Sequence, residues 1–291
     1  MLLKPIEKEP NDIDEIRSPS IPEENIEEIS SPETEEQISE PMPQSDTTAG
    51  NSAITAFFNT REITIEKSSM PEACETAFLV MSIAESLPEA DSFLHSLRSA
   101  HTSPDKSFCL NLKNKTEAER KKITELAGIM KMCGIFSESN ILTESIFGKL
   151  SKAGKVADFI IGRWLEQFCQ IVTVNLVKNY AEKHGLEWEV MSNVTVCSRE
   201  GELHELDLIF SIGDRVLGTE QKSGRQFADY DKYRTLGLWL GLVPEHFLLV
   251  NACLENEQAA DCIHYFYEYY VCNTASYAKT LMKMINNSMI L

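Results

Sequence analysis

The spacing of apolar residues changes period along this chain, and each change marks a new kind of element. From Pro71 to Ser99 the apolar set Ala77, Val80, Ile83, Ala84 and Leu87, then Phe93, Leu94 and Leu97, recurs at helical spacing. His101-Thr102-Ser103-Pro104 reads as a loop. Phe108 to Leu112 reads as a short strand. Thr116-Glu117-Ala118-Glu119 is a capping-box signature, which predicts a helix through Met132 that Gly134 ends. A further short helix is expected after the glycine. Such a unit would suit a winged-helix-like module, and it suits a plain helical adaptor as well; the adaptor is the preferred reading. Asp158 to His184 is apolar on most sides, so one long and largely buried helix is expected.

From Glu187 onward the pattern becomes α/β. Glu187 to Cys197 reads as a strand. Glu205 to Phe210 and Val216 to Lys222 read as two more, joined by the hairpin signal Gly213-Asp214. Gln226 to Leu240 is helical. His246 to Leu254 is nearly all apolar, as expected of a strand buried on both faces. Gln258 to Tyr270 and Ala275 to Ile285 read as closing helices. Among these, Tyr265, Tyr267, Tyr269 and Tyr270 suggest core or dimer packing rather than base stacking.

Composition adds a boundary. The chain has 291 residues and a net charge of −18. Residues 1–50 hold 14 acidic and 3 basic side chains and no aromatic one. A segment so polar cannot bury enough apolar surface to fold, so a disordered acidic tail is expected over 1–50. A mainly helical adaptor region is expected over 51–157, and an α/β domain over 158–291. The 8 cysteines show no C-x-x-C pair and the 6 histidines no zinc spacing. Reduced, core-filling cysteines and a cytoplasmic, reducing compartment follow. No apolar run reaches a membrane span, so no membrane partner is expected.

The hairpin carries the chemistry. With Gly213-Asp214 as the turn, Asp207 faces Glu220 and Glu205 faces Lys222, all on one face of the sheet. Opposed residues have Cβ atoms roughly 4.5–5.5 Å apart, so two carboxylates there repel unless something positive lies between them. A hard divalent cation suits such oxygens. A lysine beside it suits a hydrolytic phosphodiester site. The Glu205–Lys222 pair reads either as a simple cross-strand ion pair or as a support for the lysine. Upstream, Glu166 sits among Trp164, Leu165, Phe168 and Cys169. A carboxylate in such a segment costs several kcal/mol unless it is paired or binds a metal. Arg163 or Gln170 would serve as a purely structural partner. Arg225, Lys232 and Arg234 follow the hairpin and read as a solvated helix face.

These residues resemble the PD-(D/E)XK, or restriction-endonuclease-like, nuclease superfamily. Asp207 matches its Asp and Glu220-Gln221-Lys222 its (D/E)-x-K, although Leu206 replaces the proline. Gly162-Arg163-Trp164-Leu165-Glu166 is similar to the opening of the nuclease module fused to CRISPR-associated Rossmann-fold sensors. The resemblance covers about residues 158 to 255. It implies a mixed four-stranded sheet flanked by helices, with Glu166, Asp207, Glu220 and Lys222 as catalytic residues. It further implies Mg²⁺ or Mn²⁺ held by Asp207, Glu220 and Glu166, a homodimer, a role in defence, and DNA or RNA as substrate. The acidic tail offers a surface for a protein partner, or a nucleic-acid mimic that occludes the site. The acidity of residues 151–291 (net −5) opposes strong non-specific DNA binding. It leaves room for two rivals: an inactive scaffold of the same fold, and a hydrolase of small cyclic oligonucleotides.

Overall fold

The computed structural model describes residues 52–71, 76–87, 89–152, 154–224, 230–256 and 269–289. The expected acidic tail, Arg225 and most of the helix expected over Gln258–Tyr270 lie outside them. Thr47–Leu291 forms one compact unit.

Among the described residues the central sheet has six strands rather than the four expected. The strands are β1 (Ile63–Ser69), β5 (Trp188–Ser198), β6 (Leu203–Ile212), β7 (Arg215–Lys222), β8 (Phe247–Asn251) and β9 (Tyr270–Cys272), in that spatial order. Strands β1, β5, β6 and β7 run antiparallel in turn; β8 is parallel to β7 and β9 parallel to β8. The expected four are thus the middle of the sheet, in the expected order. The extra edges come from sequence that carried other readings. β1 lies inside the region read as helical, and β9 begins at Tyr270, where a helix end was expected. Tyr269 and Tyr270 are buried in the core, as the packing reading required.

Both faces of the sheet are covered. On one face, Leu208, Phe210, Leu217, Leu248 and Val250 share a core with helices α6 (Trp164–His184) and α8 (Tyr277–Ser288). On the other, Leu206, Ile209, Val216 and Leu249 pack against α1 (Ala53–Asn59) and α7 (Tyr230–Trp239). This double cover is why Phe247–Asn251 is apolar at nearly every position and buried throughout.

The preceding region holds α2 (Ala77–Ser86), α3 (Asp91–Thr102) and α4 (Glu117–Met132), with a second, three-stranded sheet ordered β2 (Ser107–Asn111), β4 (Ser145–Leu150), β3 (Phe136–Ile141). The capping box at Thr116 and Glu119 forms as expected. The short helix expected after Gly134 is instead the β3–β4 hairpin. Ser137-Glu138-Ser139-Asn140 has too few apolar residues for a helical stripe and pairs as an edge strand. The apolar faces of α2–α4 are continuous with the α6 face of the main core, with Phe93, Phe108 and Phe136 meeting ring to ring.

The long helix expected from Asp158 is not uniform. α5 (Gly154–Asp158) passes into a π-turn over Phe159–Arg163 before α6 begins. One extra residue per turn loosens the backbone ladder, and such turns are frequent at functional sites. Two carbonyls of this turn take side-chain donors from elsewhere: Arg98 of α3 donates to Ile160 O at 3.4 Å, and Ser223 Oγ to Ile161 O at 2.9 Å.

Candidate functional site

The site is built where two strands part. The β6–β7 pairing runs from Ile212↔Arg215 to Leu208↔Thr219, and Gly213 supplies the positive φ of 58° that the two-residue turn needs. This is the register the turn predicts, and its next step places Asp207 level with Glu220. There the ladder gives way to side chains. The Gln221 N–H donates to Asp207 Oδ2 at 2.7 Å, and the Asp207 N–H donates to Glu220 Oε1 at 3.4 Å. From Gly218 to Lys222, β7 is paired with β8 on its other side. The end of β7 is therefore held rigidly while β6 diverges, and the opening between them holds the carboxylates.

Lys222 occupies that opening. Its Nζ lies 3.1 Å from Glu220 Oε2 and 3.8 Å from Asp207 Oδ2. Side-chain exposure is 5% for Glu220, 24% for Asp207 and 31% for Lys222. The ring of Tyr233 lies under the ammonium, 5.4 Å from its centroid. The expected pairing of Lys222 with Glu205 is replaced by these two ion pairs, and Glu205 is exposed. The reason is a break in the pleat. Leu206 and Ile209 face α1 and α7, whereas Leu208 and Phe210 face α6. Strict alternation would put Leu206 with Leu208, so the side chains on either side of Asp207 are not in phase. The expected single face shared by Glu205, Asp207, Glu220 and Lys222 is thus corrected.

Electrostatics follow from this burial. Glu220 is pushed up from 4.5 to about 8, first by desolvation and then by the Asp207 charge. Asp207 is also raised, chiefly by desolvation, against the pull of Lys222. Desolvation would lower the Lys222 ammonium, but the Glu220 and Asp207 carboxylates outweigh it and raise its pKa. A buried and a half-buried carboxylate thus share one cation.

Glu166 comes from the opposite face, on the first turn of α6. Burial raises its carboxyl, the Asp207 charge raises it further, and Arg163 and Lys222 pull it down. Beneath the fork lies a polar chain that the sequence did not single out. Gln221 Nε2 donates to Thr219 Oγ1 at 2.7 Å, and Thr173 Oγ1 and the Tyr277 hydroxyl lie 2.6 Å apart. Lys232 and Arg234 are exposed on α7. Cys169 and Cys272 are buried thiols with raised pKa values, as a core-filling role requires, whereas Cys197 and Cys253 are half-buried, Cys109 and Cys133 are exposed, and Cys262 lies outside the described residues.

The donor set suits a hard divalent ion: buried carboxylate oxygens with less positive charge than negative. Among the described residues, no three His, Cys, Asp or Glu side chains are already gathered as a metal cage. Also among the described residues, no helix is long and apolar enough to cross a membrane.

No family model and no curated protein matches this chain. Solved structures do. Can2 from Sulfobacillus thermosulfidooxidans, in complex with cyclic tetra-adenylate, superposes with a TM-score of 0.55 at 12% identity over 80% of this chain. Protein VC1899 from Vibrio cholerae superposes with a TM-score of 0.52 at 15% identity over 79% of this chain. At such identities the likeness is one of fold. The chain spans 61% and 60% of the length of those two proteins.

Proposed function

We propose that this protein is a metal-dependent phosphodiester hydrolase acting on nucleic acid. The observation that carries the reading is Lys222 lying between two carboxylates, the half-buried Asp207 and the buried Glu220, at the fork of β6 and β7. A purely structural sheet has no use for that cost. Desolvating paired carboxylates is repaid poorly when one lysine serves both. Asp207 and Glu220 would hold Mg²⁺ or Mn²⁺, and Glu166 would complete the set directly or through water. When bound, the ion would supply Lewis-acid activation of the phosphoryl group and its attacking water. Lys222 would orient that water and stabilise the charge that develops on phosphate oxygens. The likeness to Can2 supports a nucleotide-related substrate.

The test is cleavage of single- and double-stranded DNA and RNA, with Mn²⁺, Mg²⁺ or EDTA, beside Asp207→Ala and Lys222→Ala. Metal-dependent cutting by the wild type, lost in both variants, is expected. No cutting together with no measurable Mn²⁺ binding would overturn the reading and favour a scaffold. One specific observation favours a second reading. Can2 was solved with cyclic tetra-adenylate, and a net charge of −18 suits a small ligand better than a long polyanion. Cyclic oligoadenylates therefore belong in the same panel. Hydrolysis of them alone would identify a ring nuclease.

A further inference from the structure

The pleat reverses in β5 at the same level as in β6, and the residue at that level in β5 is Asn193. Val190 faces α6, yet Val194 and Val196 face α1 and α7 with Met191. Residues an even number apart in a regular strand share a face. One reversal therefore lies between Val190 and Val194. Asn193 has φ of 49°, a left-handed conformation in the middle of a strand. The β5–β6 partners Ser192↔Leu208 and Val194↔Leu206 bracket it, so Asn193 and Asp207 share a level. The register of β1 on β5 also slips there, between Lys67↔Thr195 and Ser69↔Ser192. Bulges of this kind bend a strand and re-aim side chains beside active sites.

We propose that Asn193 is a positioning residue whose left-handed backbone turns Asp207 into the fork. Its consequence for the site is specific. Glu220 and Lys222 belong to the face of the sheet that carries Tyr233, whereas Glu166 comes from α6 on the other face. With a regular pleat, Asp207 would be committed to one face. At the reversal its Oδ2 accepts the Gln221 N–H and faces Lys222 Nζ. Asparagine tolerates the left-handed region, and glycine enters it without strain, but a β-branched side chain does not. Asn193 is exposed, so its replacement removes no core volume.

The inference rests on the proposed function only for its chemical use, and its test is separate. Thermal unfolding in EDTA at pH 8 would be followed for wild type, Asn193→Gly and Asn193→Val, each with and without Asp207→Asn. In the wild type, removing the half-buried Asp207 charge beside Glu220 is expected to raise the midpoint by several degrees. Asn193→Gly should keep that increment. Asn193→Val should cut it to less than half, because the carboxylate no longer sits in the fork, and should weaken Mn²⁺ binding at least tenfold by calorimetry. An undiminished increment and unchanged Mn²⁺ affinity in Asn193→Val would overturn the proposal, even if its midpoint fell. Should the valine variant fail to fold, Asn193→Ala gives the same comparison with a smaller perturbation. If the wild type neither binds Mn²⁺ nor cuts, the proposed function fails, and the unfolding comparison still decides the role of Asn193.

Discussion

Replacing Glu220 with glutamine tests the energetics of the fork without any substrate. The Glu220 carboxyl is raised from 4.5 to about 8, so the folded state holds its proton more tightly than the unfolded chain. A raised acid pKa gives stability that is fully present below 4.5 and is lost as pH rises through 8. Applied between pH 5 and 8, that shift corresponds to about 3–4 kcal/mol. Glu220 is 5% exposed, so solvent screening takes little from this. For a unit of this size, 1 kcal/mol moves the unfolding midpoint by roughly 2–4 °C. The wild type should therefore lose roughly 7–14 °C across the window through this group. Glutamine keeps the shape and an acceptor for Lys222 but cannot ionise. The assay is differential scanning calorimetry of wild type and Glu220→Gln from pH 5 to 8 in EDTA. The midpoint difference, variant minus wild type, should be small at pH 5 and grow steadily to pH 8. A difference that is constant across the window would refute the burial argument. So would a variant whose midpoint falls as steeply as that of the wild type.

Lys222→Met leaves both carboxylates without their cation. It should destabilise the fold by roughly 2–4 kcal/mol at pH 8, and by less at pH 5, where Glu220 is protonated, as thermal midpoints would show. Gly162→Ala places a Cβ 3.1 Å from Ser223 Oγ. It should cost about 1 kcal/mol and lower cleavage in the proposed assay more than a substitution remote from the site. Thr116→Ala removes the cap of α4, where Thr116 Oγ1 accepts the Glu119 N–H. It should cost about 1 kcal/mol in urea unfolding while leaving Mn²⁺ affinity unchanged. Tyr277→Phe removes the hydroxyl 2.6 Å from Thr173 Oγ1 and should cost about 1–2 kcal/mol, read from the same unfolding curves.

The parts of the fold legible in the sequence are those where one local signal determines structure. Thr116 and Glu119 define a helix start because two side chains close on two backbone donors. Gly213-Asp214 fixes the β6–β7 register because few residues suit the positive φ of a two-residue turn. Phe247–Asn251 shows itself as a doubly covered strand through its apolar run. What stayed hidden depends on partners distant in sequence. β1 carries Glu66, Lys67 and two serines, a composition that pairs only because β5 presents an open edge. β9 is three residues long, too short for any period to appear.

The candidate site was legible in its hairpin register and less so in the aim of its side chains. Alternation is a reliable ruler only while the pleat is regular, and it placed Glu205 opposite Lys222 by counting straight through Asp207. A signal for the break was present in β5. Asn193 is a poor strand former between Ser192 and Val194, and its type is enriched among left-handed residues. An asparagine just before the β-branched run Val194-Thr195-Val196, level with a half-buried carboxylate on the neighbouring strand, points to a bulge rather than to a solvated strand position. The break also accounts for how Asp207 gains the Gln221 N–H, a bond that a carboxylate held squarely on one face would leave to the backbone ladder. Local irregularity and the meeting of Asp207, Glu220 and Lys222 are therefore one feature.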